Sequence, residues 1–127
     1  VASLFSAFDE ARDCSYVKAG QGVAIERRGT KVGHHYQLLG HTLGGDVAVE
    51  PYLITLSEEA VPYTGFQHAG IELIYMLSGK LRYRHGDKTY LLEPGDTLFF
   101  DATAVHGPED LIEKPMTYLS IIMYGKS

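Results

Sequence analysis

The sequence predicts an all-β domain, an antiparallel sandwich or barrel. Three observations carry that prediction. From Ser15 onward, short apolar segments recur between turns marked by glycine and proline. After the first dozen residues no segment keeps a helical spacing of apolar side chains. The 14 glycines and 9 tyrosines weight the composition towards sheet.

The elements follow in order. Residues 1–12 place Leu4, Phe5 and Phe8 at helical spacing, which reads as one short helix or a terminal tail. Residues 16–18, 23–27 and 35–39 read as short strands, and residues 51–56 as a further one. Residues 57–67, with Pro62 and Gly65, read as a loop. Residues 72–77 and 81–85 read as two strands joined by a tight hairpin at Ser78-Gly79-Lys80. Gly86-Asp87 turns the chain into residues 89–92, and Pro94-Gly95-Asp96 turns it into residues 97–100. Residues 101–105 are a short loop, and residues 116–124 the last strand.

A chain of 127 residues with 45% apolar side chains fills one core, so a single domain is expected. No apolar stretch approaches the ~20 residues of a membrane helix, and no signal peptide is recognisable. Cys14 is the sole cysteine, which excludes an internal disulfide and points to a reducing cytoplasm. A net charge of -5 argues against nucleic-acid binding by this piece itself. The basic cluster of Arg27, Arg28 and Lys31 reads as a solvated strand end. A start at Val1 rather than methionine is expected of a segment cut from a longer protein.

His68, Glu72 and His106 are the candidate metal ligands. Two imidazoles and one carboxylate form an open ligand set, the kind that non-haem iron enzymes use. On a straight strand, residues 68 and 72 would lie roughly 13 Å apart at Cα, too far to share an ion. Ala69-Gly70 supplies the bend, since glycine tolerates left-handed backbone. Glu72 then opens a strand whose inward face continues with Ile74 and Met76. His106 follows a strand and a short loop, so it can return to the same mouth. His34, His35, His41 and His85 are read as surface or hydrogen-bonded residues rather than ligands.

These residues resemble the metal motifs of the cupin superfamily. His68 stands at the second histidine position of its first motif, Glu72 at the glutamate and Gly79 at the glycine seven positions on. Pro94, Gly95 and His106 match the second motif. Phe66 stands at the first histidine position, which reduces the usual set of four ligands to three, and Asp110 stands where an asparagine is common. The resemblance implies a double-stranded β-helix, or jelly-roll barrel, over residues 15–127, with residues 1–14 as a linker or the end of a DNA-binding domain. It also implies a divalent metal (iron, zinc or nickel).

Within that superfamily, the tail at residues 2–13 and the run from Asp87 to Asp101 look like cupin domains that follow a helix-turn-helix domain in bacterial transcriptional regulators. The run His68-Ala69-Gly70-Ile71-Glu72 with Leu77-Ser78-Gly79 is similar to the hydroxypropylphosphonic acid epoxidases, which are mononuclear iron cupins. Tyr36 corresponds in that alignment to a tyrosine near the iron. Two functions follow. One is an effector-sensing domain, homodimeric by analogy with the family, that binds a small molecule and reaches DNA only through a domain outside this chain. The other is a mononuclear iron oxygenase or epoxidase-like enzyme. A blander alternative is a barrel that holds zinc or nickel structurally, or no metal at all. In either of the first two, Phe66, Ile74, Met76 and Tyr36 are the expected ligand-contacting residues.

Overall fold

The computed structural model describes residues 14–25, 31–40 and 43–126. Among the described residues seven strands make up the regular structure: β1 (Val23–Ile25), β2 (His34–Leu38), β3 (Val47–Leu56), β4 (Ile71–His85), β5 (Lys88–Leu92), β6 (Thr97–Asp101) and β7 (His106–Gly125). No helix occurs among the described residues, and none there is long and apolar enough to cross a membrane. The helix or tail expected at residues 1–12 lies outside the described residues, as do Arg27, Arg28 and His41.

Every strand pair is antiparallel, in the order β1-β2-β3-β7-β4-β5, with β6 also on β4. The two long strands organise the rest. β7 pairs with β4 from Ile71↔Met123 to His85↔His106, and its second half also pairs with β3 from Val47↔Gly125 to Leu56↔Met116. On the other edge of β4, residues 71–75 carry β6 and residues 81–85 carry β5. β4 therefore belongs to both halves of the fold and must bend between them.

The burial pattern locates that bend. Glu72, Ile74 and Met76 are buried, all at even positions, whereas Leu81 and Tyr83 are buried at odd ones. Strict alternation cannot change parity without an extra residue, so the strand carries a bulge. Register shifts between Met76 and Leu81 agree. Gly79 sits there at φ +83°, where a Cβ would lie 2.4 Å from Met116 Cβ and 2.7 Å from the Glu113 carbonyl oxygen. The hairpin expected at Ser78-Gly79-Lys80 is thus one continuous bent strand. The glycine was read correctly as a break in regularity, but it bends the chain rather than reversing it.

The last strand begins at His106, ten residues earlier than expected. Pro108, Pro115 and the charged residues between them disguise residues 107–115 as loop, yet their partners are the second half of β4. β3 likewise reaches back to Val47 through Pro51, which pairs with Ile121. Residues 16–18, expected as a strand, are irregular.

Inward residues of β2, β3, β4 and β7 fill one core that includes Tyr36, Ile54, Leu56, Ile74, Met76, Met116 and Tyr118. Burial of these side chains is the main driving term. The outer face of the same strands is apolar too. Register places Val49, Met123 and Ile71 in one row, Pro51, Ile121, Leu73 and Phe99 in the next, and Leu53, Leu119 and Tyr75 in a third. Phe99 is 60% exposed and Val49, Ile71 and Tyr75 about 40%. A sheet with one solvated face normally alternates to polar residues on that side; here it does not.

The bulge gives the first expected outcome. Gly79→Ala should lower unfolding stability by at least ~2 kcal/mol, because it combines positive φ with a clash against β7. Denaturant unfolding at neutral pH measures it, and an unchanged midpoint would contradict the bulge.

Candidate metal centre

Glu72 is held on the inner face of β4, 2% exposed, opposite Phe100 of β6 and Ile122 of β7. His68 reaches it across the predicted bend. Gly70 has φ +94°, and a Cβ there would lie 2.1 Å from the Met123 carbonyl oxygen. The bend is tied to the end of β6: His68 N–H donates to Ala102 O at 3.0 Å and Ala102 N–H donates to Gly70 O at 2.9 Å. His106 opens β7, 1% exposed. A pair of backbone bonds with Phe66 (2.9 and 2.8 Å) fixes its main chain. The rings of Phe100, Phe66 and Tyr83 pack around its imidazole at centroid distances of 4.8, 6.2 and 6.4 Å.

The three side chains converge. One donor atom from each of His68, Glu72 and His106 lies within 4.8 Å of the others. His68 Nε2 is 3.0 Å and His106 Nε2 3.3 Å from the same carboxylate oxygen, Oε1. Ligands about 2.1 Å from one ion, at right angles to each other, stand ~3 Å apart, so both spacings suit neighbouring ligands. The other oxygen, Oε2, accepts the Ser120 hydroxyl at 2.6 Å.

The protons decide whether a cation fits. His106 Nδ1–H donates to the Ala104 carbonyl at 2.9 Å, and His68 Nδ1–H donates to the Ala69 carbonyl at 3.1 Å. Carbonyls only accept, so we assign the neutral rings a proton on Nδ1 and a lone pair on Nε2. Both lone pairs then face a carboxylate. His106 Nε2 is fully buried and has no aligned hydrogen bond, although it lies 3.3 Å from Glu72 Oε1. Three convergent acceptors, one of them orphaned, are resolved by two additional protons or by one cation. A divalent cation does so without charging two imidazoles in a site that excludes water, and the donor set fits one.

Without a metal, the carboxylate is governed by opposing effects. Burial disfavours its charge, but the contact with His106, the hydrogen bond that His68 Nε2 donates at 3.0 Å when it carries the additional proton, and the hydrogen bond from Ser120 outweigh that and hold its pKa at about 2, below the usual 4.5.

Beside the trio lies a cavity of about 600 Å³. Aromatic residues Tyr52, Tyr63, Phe66 and Tyr124 form much of its wall, and His68 is the metal-trio residue that lines it. Of the four expected ligand-contacting residues, Phe66 lines this cavity. Ile74, Met76 and Tyr36 are packed into the core, with Tyr36 OH 3.3 Å from His34 Nδ1. His34 is buried and bonded to the Val61 carbonyl, His35 is exposed, and His85 Nε2 is bonded to the Asp101 carbonyl. None of the three joins the ligand group, although His85 is in register with His106 and packs on the same Phe100 ring.

Sequence reasoning missed Ser120, the packing residues Tyr83 and Phe100, and the cavity wall on β3. Ser120 was discoverable: it is the polar residue in the inward row Met116, Tyr118, Ser120, Ile122. The others gave no local signal, because their roles depend on cross-strand register.

Two outcomes are expected. Ser120→Ala leaves Glu72 Oε2 without its donor, so metal affinity should fall about tenfold while the fold persists; competition with a chromogenic chelator measures it. In the metal-free protein, the lowered pKa of Glu72 means its stabilisation is present above pH 4.5 and lost as pH falls towards 2. Glu72→Gln should therefore lose less stability than wild type across that interval, by thermal melting in chelator.

Comparison with known proteins agrees with this geometry. Residues 55–122, more than half of the chain, match the family model described as Cupin domain. A search of curated proteins gives no significant match. Among solved structures, hydroxypropylphosphonic acid epoxidase from S. wedmorenis is 17% identical, with a TM-score of 0.57, over 73% of this chain and 51% of that one. An HTH_3 family transcriptional regulator from Vibrio cholerae is 21% identical, with a TM-score of 0.63, over 73% and 52%. KdgF from Halomonas sp. is 14% identical, with a TM-score of 0.62, over 86% and 94%. The chain thus spans about half the length of the first two, and at these identities the likeness is one of fold. With the family model covering both the Glu72 strand and His106, the chain belongs to the cupin domain family.

Proposed function

We propose that this chain is the effector-sensing cupin domain of a bacterial transcriptional regulator. A divalent metal (iron, zinc or nickel) is held by His68, Glu72 and His106, and a small molecule binds beside it. The observation that carries the reading is the cavity of about 600 Å³ that has His68 in its wall. Its size suits a small ligand. A ligand there meets the exposed edge of the metal trio, while Glu72 and His106 stay buried behind it.

Residues 15–127 form the sensing barrel in this proposal, residues 1–14 the linker, and DNA is reached only through a domain outside this chain. The Vibrio cholerae regulator, about twice the span matched here, supports that plan. The apolar outer rows support pairing with a second copy, and a two-fold assembly suits regulators that read two half-sites. The effector acts by binding one state of the dimer better than the other.

The donor set favours a second reading, a mononuclear iron oxidoreductase, since two histidines and a carboxylate on one side of an ion suit oxygen chemistry. The bound metal would supply oxygen activation; His106, caged by Phe100, Phe66 and Tyr83, would keep its face fixed, and the aromatic wall would exclude water. The epoxidase similarity supports this alternative.

One experiment separates them. The full-length parent is loaded anaerobically with Fe(II) or with zinc, and metal content, operator affinity and oxygen uptake are measured. The sensing reading expects one metal per chain, lost in His106→Ala, and operator affinity that changes at least ~5-fold when the metal is stripped. Sustained substrate-dependent oxygen uptake with no effect on DNA binding would favour the enzyme.

A further inference from the structure

We infer that the cavity beside the metal trio is built for a small organic cation, an amine seated on Glu50. The inference rests on the sensing reading and names its ligand class.

Glu50 lies on β3 in register with Ile122, which is in turn in register with Glu72. Two strand spacings, about 10 Å, separate the two carboxylate-bearing positions across the sheet. Glu50 lines the cavity together with Tyr52 and Tyr124. Tyr52 OH donates to Oε1 at 2.7 Å and Tyr124 OH donates to Oε2 at 2.5 Å. Two phenols orient the carboxylate but leave its charge in place. The bond to Glu50 also holds the Tyr124 phenol above its usual range, so that it remains a donor.

Among the described residues Glu50 has no ion-pair partner. The described cavity wall carries no lysine or arginine. Each carboxylate oxygen keeps a further lone pair for a ligand N–H. Lys31 Nζ already lies over the Tyr63 ring at 4.8 Å; the rings of Tyr52, Phe66 and Tyr124 offer negative faces to a ligand cation. An anionic ligand would instead meet an oriented like charge.

A structural role for this cluster is a brace between β3 and β7. Those strands already pair through ten consecutive positions, from Val47↔Gly125 to Leu56↔Met116. A brace explains the hydrogen bonds but not the charge. With ammonium at Glu50, the distance to the trio suits a chain of a few atoms ending in an oxygen donor near His68. Amino alcohols have that form.

The test uses calorimetric titration of the zinc-loaded protein with 4-amino-1-butanol, 1,4-butanediol and 4-hydroxybutyrate, which share a length and differ in charge. The amine should bind at least tenfold more tightly than the other two. Glu50→Gln should abolish that preference while retaining zinc, since Glu50 is not in the trio. Tyr124→Phe breaks the brace but keeps the charge, and should retain the preference. Absent amine binding, equal or tighter binding of the acid, or a preference lost in both variants alike overturns the inference. An acid that binds and shifts the parent's operator affinity would overturn the amine assignment and leave the sensing reading intact. Operator affinity indifferent to metal and to every ligand would instead strike the sensing reading.

Discussion

A carboxylate buried on the inner face of a sheet is the constraint around which this molecule is arranged. Glu72 costs several kcal/mol to desolvate if nothing meets its charge. Its two oxygens are met differently: Ser120 fixes Oε2, and two imidazole nitrogens crowd Oε1. That asymmetry orients the group. It also explains why the surrounding backbone is so tightly specified, with the 68–70 bend tied to Ala102 and the start of β7 tied to Phe66. Loosening either tie would strand the charge in an apolar core.

The chemistry was more legible in the sequence than the topology was. His68, Glu72 and His106 were recognisable because ligand types are rare at such spacing, and Gly70 signalled how the first two could approach. The alternation of Glu72, Ile74 and Met76 gave the inward face. Residues 78–80 misled for a physical reason: a glycine at positive φ serves a reversal and a bulge equally well, and the partner strand decides which. That partner, the first half of β7, was itself hidden by Pro108 and Pro115. A strand made from such residues is stabilised by long-range pairing with β4, and single-sequence propensity carries no trace of it. Glu50 was overlooked for a related reason, since only register shows that it faces the same interior as Glu72.

The cavity and the trio divide the labour of the interior. Glu72 and His106 lie deep, surrounded by Phe100, Tyr83 and Ser120, where water has little access. His68 stands at the boundary, one quarter exposed. Across from it, Glu50 and its two tyrosines give the wall a polar end within an otherwise aromatic surround. An interior so graded, from a dry trio to a wetter wall, suits a small molecule with two unlike ends, as proposed above.

The outer apolar rows add a mechanical consequence. Along β4, the buried Glu72 and Ile74 alternate with Ile71, Leu73 and Tyr75 on the outside. One peptide separates a metal-trio residue from the exterior rows, and a paired strand is stiff over that length. A rotation of the strand about its axis that moves Glu72 would therefore carry the exterior side chains in the opposite sense, as the two ends of a short lever. A backbone movement on the inside of this sheet is also a movement of its exterior.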